Sequence, residues 1–196
     1  MTTAISVALA LASAFSSPEP VQPVCEIDEE ETLALDFEAF DQTDETGWRP
    51  LYRAGCYAKA ADLLREWHDD APPMILFHEA QMRGYAGQDE AALDLFARTY
   101  RSEGSMGSVA WNLYVDGNIA FLRRNRAGIE AAIAALSAIP KPPGWDQAVG
   151  VNGEPLAMPW PLNLNVLQAM HRCWEEPYEI AAHCHLPEWQ KPDLGD

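Results

Sequence analysis

The sequence has few basic residues, with 13 Lys and Arg against 30 Asp and Glu, and its formal net charge is −17. A chain this acidic repels phosphate backbones and anionic lipid headgroups, so bulk charge does not bring it to nucleic acid or to a membrane surface. The acidity has two remaining interpretations, which are solubility in general and attraction to a basic partner. We therefore expect no nucleic-acid partner.

The sequence also lacks a long hydrophobic run. Residues 5–11 form a short apolar segment, which cannot span a bilayer as a helix, and no later segment is predicted to cross one. A small-residue cleavage site, Ala12-Ser13-Ala14, follows it, although no Lys or Arg precedes it. We predict a secretory signal over residues 1–14, removed near Ala14, and a mature protein in the bacterial periplasm or outside the cell. The alternative is a frayed cytoplasmic terminus.

Recognisable catalytic motifs are missing as well. No glycine-rich loop carries the Lys that a phosphate site needs, and the zinc-peptidase pattern that His78-Glu79 begins ends at Met82, where a second His is required. A group of His and Cys near the C-terminus lacks standard zinc spacing, and adjacent helical residues point too far apart to reach one ion. We predict no catalytic residue, metal or cofactor. The C-terminal group comprises His171, Cys173, His183, Cys184 and His185.

Cysteine is scarce, but the four cysteines form an even set. In an exported chain an even set favours disulfides, and four cysteines allow three pairings among which sequence does not choose. We favour Cys173 with Cys184, because a pair of antiparallel short helices could bring them together. Cys25 with Cys56 would then tie the N-terminal segment to the first turn between helices.

Helical periodicity is strongest over residues 46–73. Gly55 separates a short helix from a second helix predicted from Tyr57 to His68, since glycine readily takes the left-handed backbone that ends a helix. The second helix has one apolar face, with residues at three- and four-residue steps. That face comprises Ala60, Ala61, Leu63, Leu64 and Trp67.

The next segment repeats this arrangement. Pro73 suits the first turn of a helix that ends near Gly87, and Asp89 is predicted to cap the helix that follows. Ala92 and Phe96 lie at the same offsets from their glycine as the matching apolar residues of the first unit. These offsets indicate a helical hairpin that recurs.

A third unit follows less regularly. Ser108 is predicted to cap a helix that runs to about Arg124, and Asn125 takes the place of the glycine, since it tolerates the left-handed backbone. An alanine-rich helix then ends before Pro140. Glu130 lies where a small alanine is expected, unless the register slips by one residue.

The first unit resembles the helix–turn–helix unit of tetratricopeptide repeats, and the two later units repeat it in part over about residues 44–140. The positions that carry the resemblance are Gly55, Tyr57, Ala60, Leu64, Trp67 and Pro72. The resemblance implies an all-α fold of stacked antiparallel hairpins, with a concave groove lined by the first helix of each hairpin. The implied groove residues are Arg49, Tyr52, Arg53, Phe77, Gln81, Tyr85, Asn112, Val115, Ile119 and Arg123.

The flanking segments complete the predicted organisation. Prolines exclude a regular helix between residues 140 and 161, and Asn152-Gly153 predicts a tight turn there. The aromatic residues of this loop favour a strap that packs on the domain. The predicted segments are an acidic linker and cap over 15–43, three hairpins over 44–140, a proline-rich loop over 141–161 with Trp145, Met158 and Trp160, a helical pair over 162–186 opened by Pro161, and a tail over 187–196.

We therefore predict a non-enzymatic, exported scaffold whose groove binds a protein or a peptide. Two alternatives stay open at this level. An acidic inhibitor or immunity-type protein would use the charge to block a basic partner. An enzyme would carry its site under the loop over 141–161, with ionisable groups of displaced pKa in a deep pocket.

Overall fold

The computed structural model describes residues 25–67, 72–102, 104–147, 149, 155 and 159–186, and these residues form helices without a β-strand. The prediction of an all-α protein is therefore confirmed. The predicted signal, the turn at Asn152-Gly153, Met158, His68 and the tail lie outside the described residues. The helices are α1 (Glu29–Leu33), α2 (Arg49–Arg53), α3 (Tyr57–Trp67), α4 (Pro73–Tyr85), α5 (Asp89–Ala97), α6 (Met106–Leu122), α7 (Arg126–Ser137), α8 (Leu164–Arg172) and α9 (Tyr178–His183).

One turn geometry joins α2 to α3, α4 to α5 and α6 to α7. In the first turn the amide of Gly55 donates to the carbonyl of Tyr52 at 3.0 Å, and that of Cys56 donates to the carbonyl of Leu51 at 2.8 Å. The same two bonds close the other turns, where the left-handed residues are Gly87 and Arg124. This is the Schellman motif, which satisfies carbonyls at the end of a helix.

The third turn corrects the sequence prediction. Its left-handed residue is Arg124, with φ of 52°, and not Asn125. The side chain of Asn125 instead caps α7, because its Oδ1 accepts from the amide of Gly128 at 3.0 Å. The register therefore slips by one residue. Ile129 takes the position of the small alanine and is fully buried, whereas Glu130 is exposed.

Two further helix starts differ from the prediction. Helix α6 is capped by Ser105, whose Oγ accepts from the amide of Ser108 at 3.1 Å, so Ser108 lies inside the first turn. Asp89 is the first residue of α5 rather than its cap, which is Gln88. An acidic residue in the first turn still stabilises the helix through its dipole.

Helix α4 lies at the centre of helices α2 to α7, which we call the stack, and packs on both sides. Ile75 and Met82 contribute to a core with α2, α3 and the N-terminal segment. Phe77 and Ala80 contribute to a second core that α5 to α9 share. A helix that is apolar on opposite faces is buried between neighbours, so α4 joins the two cores.

Buried Arg83 fixes α4 to the helices on either side of it. Its guanidinium donates to Asp62 of α3 at 2.8 Å and to Gln88 at 3.0 Å, and it lies 3.5 Å from Glu79. Burial raises the pKa of the Glu79 carboxyl, and the charge of Arg83 opposes that shift. The pair therefore keeps two buried charges satisfied.

The N-terminal segment covers α3. The ring of Phe40 stacks on that of Trp67 with centroids 4.6 Å apart, and the Trp67 indole donates to the carbonyl of Leu35 at 3.1 Å. Cys25 and Cys56 lie at disulfide distance, with Cα atoms 5.6 Å apart. Phe40 is part of a π-helical turn over Glu38–Gln42. The segment thus shields an apolar helix face that would otherwise contact water.

The C-terminal pair extends the stack and then returns across it. Helix α8 packs on α6 and α7, whereas α9 contacts α4. Helix α8 begins at Leu164 and not at Pro161, because Asn163, with φ of 63°, separates the proline from the helix. Cys173 and Cys184 lie at disulfide distance, with Cα atoms 6.5 Å apart, as the favoured pairing predicted.

Aromatic residues fix the described ends of the proline-rich loop to the stack. The indole of Trp160 donates to the carbonyl of Ile139 at 3.1 Å and lies edge-on to Trp145, with ring centroids 4.7 Å apart. Within the loop the structure describes a single helical turn over Trp145–Gln147 and a bridge between Val149 and Pro155. Among the described residues, none of the helices combines the length and the apolar character needed to span a bilayer.

Candidate functional site

Helix α9 covers part of the predicted concave groove. The hydroxyl of Tyr52 lies 2.7 Å from Nε2 of His183, and the ring of Tyr85 lies between Tyr178 and His183, with centroids 5.3 and 5.0 Å away. The structure therefore brings Tyr52 and Tyr85 together, as the groove prediction requires, but against residues of the same chain. The ring centroids of Tyr52 and Tyr85 are 6.3 Å apart.

A hydrogen bond between buried Tyr57 and half-buried Glu179 holds α9 in this position. The hydroxyl of Tyr57 donates to Oε1 of Glu179 at 2.9 Å. Burial raises the pKa of the Glu179 carboxyl, although the hydrogen bond from Tyr57 opposes the shift. Nδ1 of His183 lies 2.7 Å from the backbone carbonyl of Glu179, so Nδ1 carries a proton and Nε2 faces the Tyr52 hydroxyl.

Two of the predicted groove residues lie in the core instead. Phe77 is 3% exposed and packs on Phe96 and Trp111, and Val115 is fully buried. The repeat pattern fixes the helix but not its rotation, and one residue of error turns a side chain by about 100°. The partly exposed line of α4 consists of Met74, His78, Gln81 and Tyr85.

Arg101, which follows α5, lies against Asn112 of the predicted groove face of α6. Asn112 accepts from the amide of Arg101 at 2.8 Å and donates to its carbonyl at 2.9 Å. The guanidinium of Arg101 stacks over Trp111, 4.1 Å from the ring centroid. Asn112 therefore holds the chain's own backbone. Ile119 is half-buried and Arg123 is exposed.

The two predicted arginines of α2 have different surroundings. Nε of Arg49 donates to the carbonyl of Asp41 at 2.8 Å, and its guanidinium lies over Trp48, 4.7 Å from the ring centroid. Arg49 therefore fastens the N-terminal segment to α2. Arg53 is exposed.

Sequence reasoning missed a hydrogen-bonded contact between buried Asp41 of the N-terminal segment and half-buried His78 of α4. Oδ1 of Asp41 lies 2.6 Å from Nδ1 of His78 and accepts from the indole of Trp48 at 3.0 Å, while Oδ2 accepts from Gln42 at 2.5 Å. Burial alone would raise the pKa of Asp41, but His78, Trp48 and Gln42 lower it below its ordinary value. The two partners are 37 residues apart, so no local pattern reports their contact.

A groove lies at the N-terminal end of the stack. Residues 26–45 carry ten carboxylate side chains and no Lys, Arg or His. Between residues 26–35 and 45–54 is a groove of about 410 Å³, which we call the N-terminal groove. Its acidic residues are exposed, whereas its apolar residues are half-buried or buried. The rim comprises Glu26, Asp28, Glu31 and Glu45, and the floor comprises Ile27, Leu35, Pro50, Leu51 and Ala54.

A sequence signal for the N-terminal groove exists, but it is weak. The segment reads as an acidic linker because its carboxylates dominate it. The apolar residues Ile27 and Leu35, set among these acids, indicate that one side of the segment packs on something. The sequence predicts that part of this segment caps the first hairpin, and in the structure it packs on α2 and α3.

A second groove of about 730 Å³ lies between the start of α6 and the end of α7, with exposed Met106 and Val109 at its edge. A smaller cavity of about 210 Å³ lies beside Tyr85 and Tyr178. Among residues 25–67, 72–102, 104–147 and 159–186, no three His, Cys, Asp or Glu side chains are arranged to hold a metal ion. Cys173 is paired with Cys184 and offers no thiolate ligand.

No family model, curated protein or solved structure matches this chain.

Proposed function

We propose that this chain is an exported, non-enzymatic scaffold that binds a protein or peptide through a stack of tetratricopeptide-like helical hairpins. One observation carries the proposal, which is the Schellman turn that recurs at Gly55, Gly87 and Arg124. A fully buried residue lies five positions after each turn. Stacked hairpins of this kind provide extended surfaces, which suit macromolecular partners.

The packing of α9 bears on where a partner would bind. The Tyr52 and Tyr85 part of the implied concave face is in contact with His183 and Tyr178 and is only partly exposed. The N-terminal groove and the apolar groove beside Met106 are open. The proposed scaffold therefore binds through its ends rather than through the concave face that the resemblance implies.

Export is supported by the cysteines. Two pairs at disulfide distance fit an oxidising compartment, because reduced thiols prevail in the cytosol. The apolar segment and small-residue site of residues 1–14 agree with this placement. We place the mature protein in the bacterial periplasm or outside the cell.

Affinity capture with cross-link mapping tests the proposed function. The folded chain, with both disulfides intact, is incubated with the exported protein fraction of its source and cross-linked. We expect one protein to be enriched over a reduced and alkylated sample of the same chain, with cross-links on the stack. Absence of a partner, together with turnover of a small substrate by the purified chain, would overturn the proposal.

An acidic inhibitor or immunity-type protein is a second candidate. The observation that favours it is the concentration of ten carboxylates over residues 26–45. It predicts a basic partner whose own activity is blocked, and an affinity that falls steeply as salt screens the charges. An activity assay of the captured partner, with and without this chain, separates inhibition from assembly.

A further inference from the structure

We propose that the N-terminal groove binds a protein segment that presents Lys or Arg side chains next to apolar ones. This proposal rests on the proposed scaffold function and specifies the chemistry of its partner. The lining of this groove includes none of the residues implied for the concave face, since Arg49, Tyr52 and Arg53 are not part of it.

The floor of the groove supplies the apolar part of the argument. Ile27, Leu35, Pro50 and Ala54 line it and are each half-buried, so apolar atoms remain in contact with water. Burying such area under a partner's side chain is favourable in proportion to the area covered. The groove volume of about 410 Å³ falls in the range of ligand pockets, about 300–1,000 Å³, and fits a few side chains.

The rim supplies the charge. Glu26, Glu31 and Glu45 are exposed, and none of their side-chain carboxylates has a hydrogen bond or an ion pair with another described residue. Their neighbours are already engaged, since Glu29 pairs with Lys59 and Asp28 caps α1 through the amide of Glu31. Three unpaired carboxylates around one groove repel each other and attract a cation.

The groove is also held in shape before a partner arrives. The disulfide between Cys25 and Cys56 joins the residue before the rim to the residue that immediately precedes α3. On the opposite side the hydroxyl of Thr46 donates to the carbonyl of Ala39 at 2.5 Å. A wall that is already ordered loses little conformational freedom on binding.

The probe for this proposal is a short synthetic peptide of alternating lysine and leucine, labelled for fluorescence anisotropy. Two matched peptides replace its lysines by glutamates or its leucines by glutamines. The protein is the full folded chain in three forms, which are the wild type, the rim variant E26K/E31K/E45K and a control variant E90K/D94K/E175K. Both variants change the net charge equally, and all six positions are exposed.

We expect the lysine–leucine peptide to bind the wild type, and the rim variant to bind it about tenfold or more weakly, with the control variant within about threefold. Added salt should weaken binding, and both matched peptides should bind less tightly. Near-ultraviolet circular dichroism checks that all three proteins are folded.

Three results would overturn the proposal. The first is an equal loss of affinity in the rim and control variants, which would indicate an effect of bulk charge alone. The second is unchanged affinity for the glutamine peptide. The third is full displacement of the peptide by spermine, which would indicate a general cation site. If cross-links from the capture experiment lie elsewhere and the rim variant still captures the partner, the proposed scaffold function stands and this inference fails.

Discussion

Asp41 has no solvent-exposed surface, and its carboxylate contacts Gln42 of the same segment, Trp48 and His78. Its carboxylate joins the N-terminal segment to Trp48, before α2, and to His78 on α4. The lowered pKa of Asp41 means that the folded protein stabilises the ionised form. The carboxylate therefore contributes to the free energy of unfolding above its ordinary pKa of 3.8, and the contribution is lost as the pH falls through the folded value.

Replacing Asp41 by Asn tests this contribution. D41N keeps one acceptor oxygen but removes the charge that faces His78, so we expect it to lower the free energy of unfolding by about 1–3 kcal/mol at pH 7. Urea unfolding followed by tryptophan fluorescence between pH 3 and 7 measures the effect, and the pH profile of D41N should be flatter at the acidic end. The exposed D44N is the control, and an equal loss in both variants would contradict the assignment.

The pKa of Glu179 is shifted in the opposite direction from that of Asp41. Its raised pKa means that the folded protein binds the carboxyl proton more tightly than the unfolded chain does. Stability from this group is present below its ordinary value of 4.5 and falls as the pH rises through the folded pKa. At neutral pH an ionised Glu179 is therefore less favourable than a neutral side chain of the same shape.

The variant E179Q tests the direction of this pKa shift. Glutamine keeps the oxygen that accepts from Tyr57, so we expect the free energy of unfolding at pH 7 to equal or exceed that of the wild type by less than about 1 kcal/mol. Near pH 4 the two proteins should be equally stable. Thermal unfolding at both pH values checks this, with exposed E175Q as control. A loss of stability in E179Q that is the same at both pH values would refute it.

Among the helices, two close contacts at glycine set how the C-terminal pair packs. A Cβ atom on Gly117 of α6 would lie 2.5 Å from Leu167 of α8, and one on Gly84 of α4 would lie 2.7 Å from the ring of Tyr178. Neither glycine has a left-handed backbone, so the requirement is space rather than conformation. The absence of a side chain lets α8 and α9 approach the stack closely.

G117A tests this contact with a control on the same helix. We expect G117A to lower the free energy of unfolding by about 1–3 kcal/mol, because the methyl group displaces Leu167. Gly107 has open surroundings, with its nearest atom 3.7 Å away, so G107A should be neutral or stabilising by up to about 1 kcal/mol through helix propensity. Chemical denaturation of both variants decides, and a G117A that gains stability would show that α8 does not pack there.

Local chemistry explains which elements were predictable from the sequence. The turns at Gly55 and Gly87 and the apolar face around Leu64 are set by neighbouring residues, so the helices α3, α4 and α5 follow from spacing. The left-handed Arg124 has no such signal, because arginine rarely takes that backbone and Asn125 beside it does. The sequence predicts Ser108 and Asp89 as caps in place of Ser105 and Gln88 for a related reason, because helix ends are the least distinct part of a pattern.

The candidate site was less predictable, because it depends on contacts between distant residues. Tyr52 contacts His183 across 131 residues, and nothing in the repeat pattern indicates that α9 crosses the face that the resemblance implies to be concave. The pattern placed Phe77 and Val115 on an open groove, although both are buried. Rotation about a helix axis is decided by the packing of its neighbours, and packing is not local.

At the scale of the whole molecule, the two cysteine pairs lie at opposite ends of the chain. Cys25 and Cys56 close a separation of 31 residues, and Cys173 and Cys184 close one of 11. The chain-entropy model assigns each a stabilisation of about 3 kcal/mol, somewhat more for the longer loop. The disulfides therefore fix the N-terminal segment and the C-terminal pair, the two parts that pack on helices α2 to α7.

Intact mass measured before and after reduction tests these pairs. We expect the mature protein to gain two hydrogens for each of two disulfides, with peptide mapping that joins Cys25 to Cys56 and Cys173 to Cys184. The double variant C173S/C184S should lose about 3 kcal/mol of unfolding free energy. A mass that shows free thiols in protein isolated from its own compartment would contradict both the pairing and the proposed export.

The contact between α9 and α2 decides whether the concave face is covered. Nuclear Overhauser effects between the ring protons of Tyr52 and His183, whose centroids are 5.8 Å apart, measure it in solution on the disulfide-bonded protein. We predict clear cross-peaks for this pair, and a ring-current shift of the Gly84 α-protons from the ring of Tyr178. Absence of both signals in a protein that is otherwise folded would show an open concave groove and contradict the structure described for its C-terminal end.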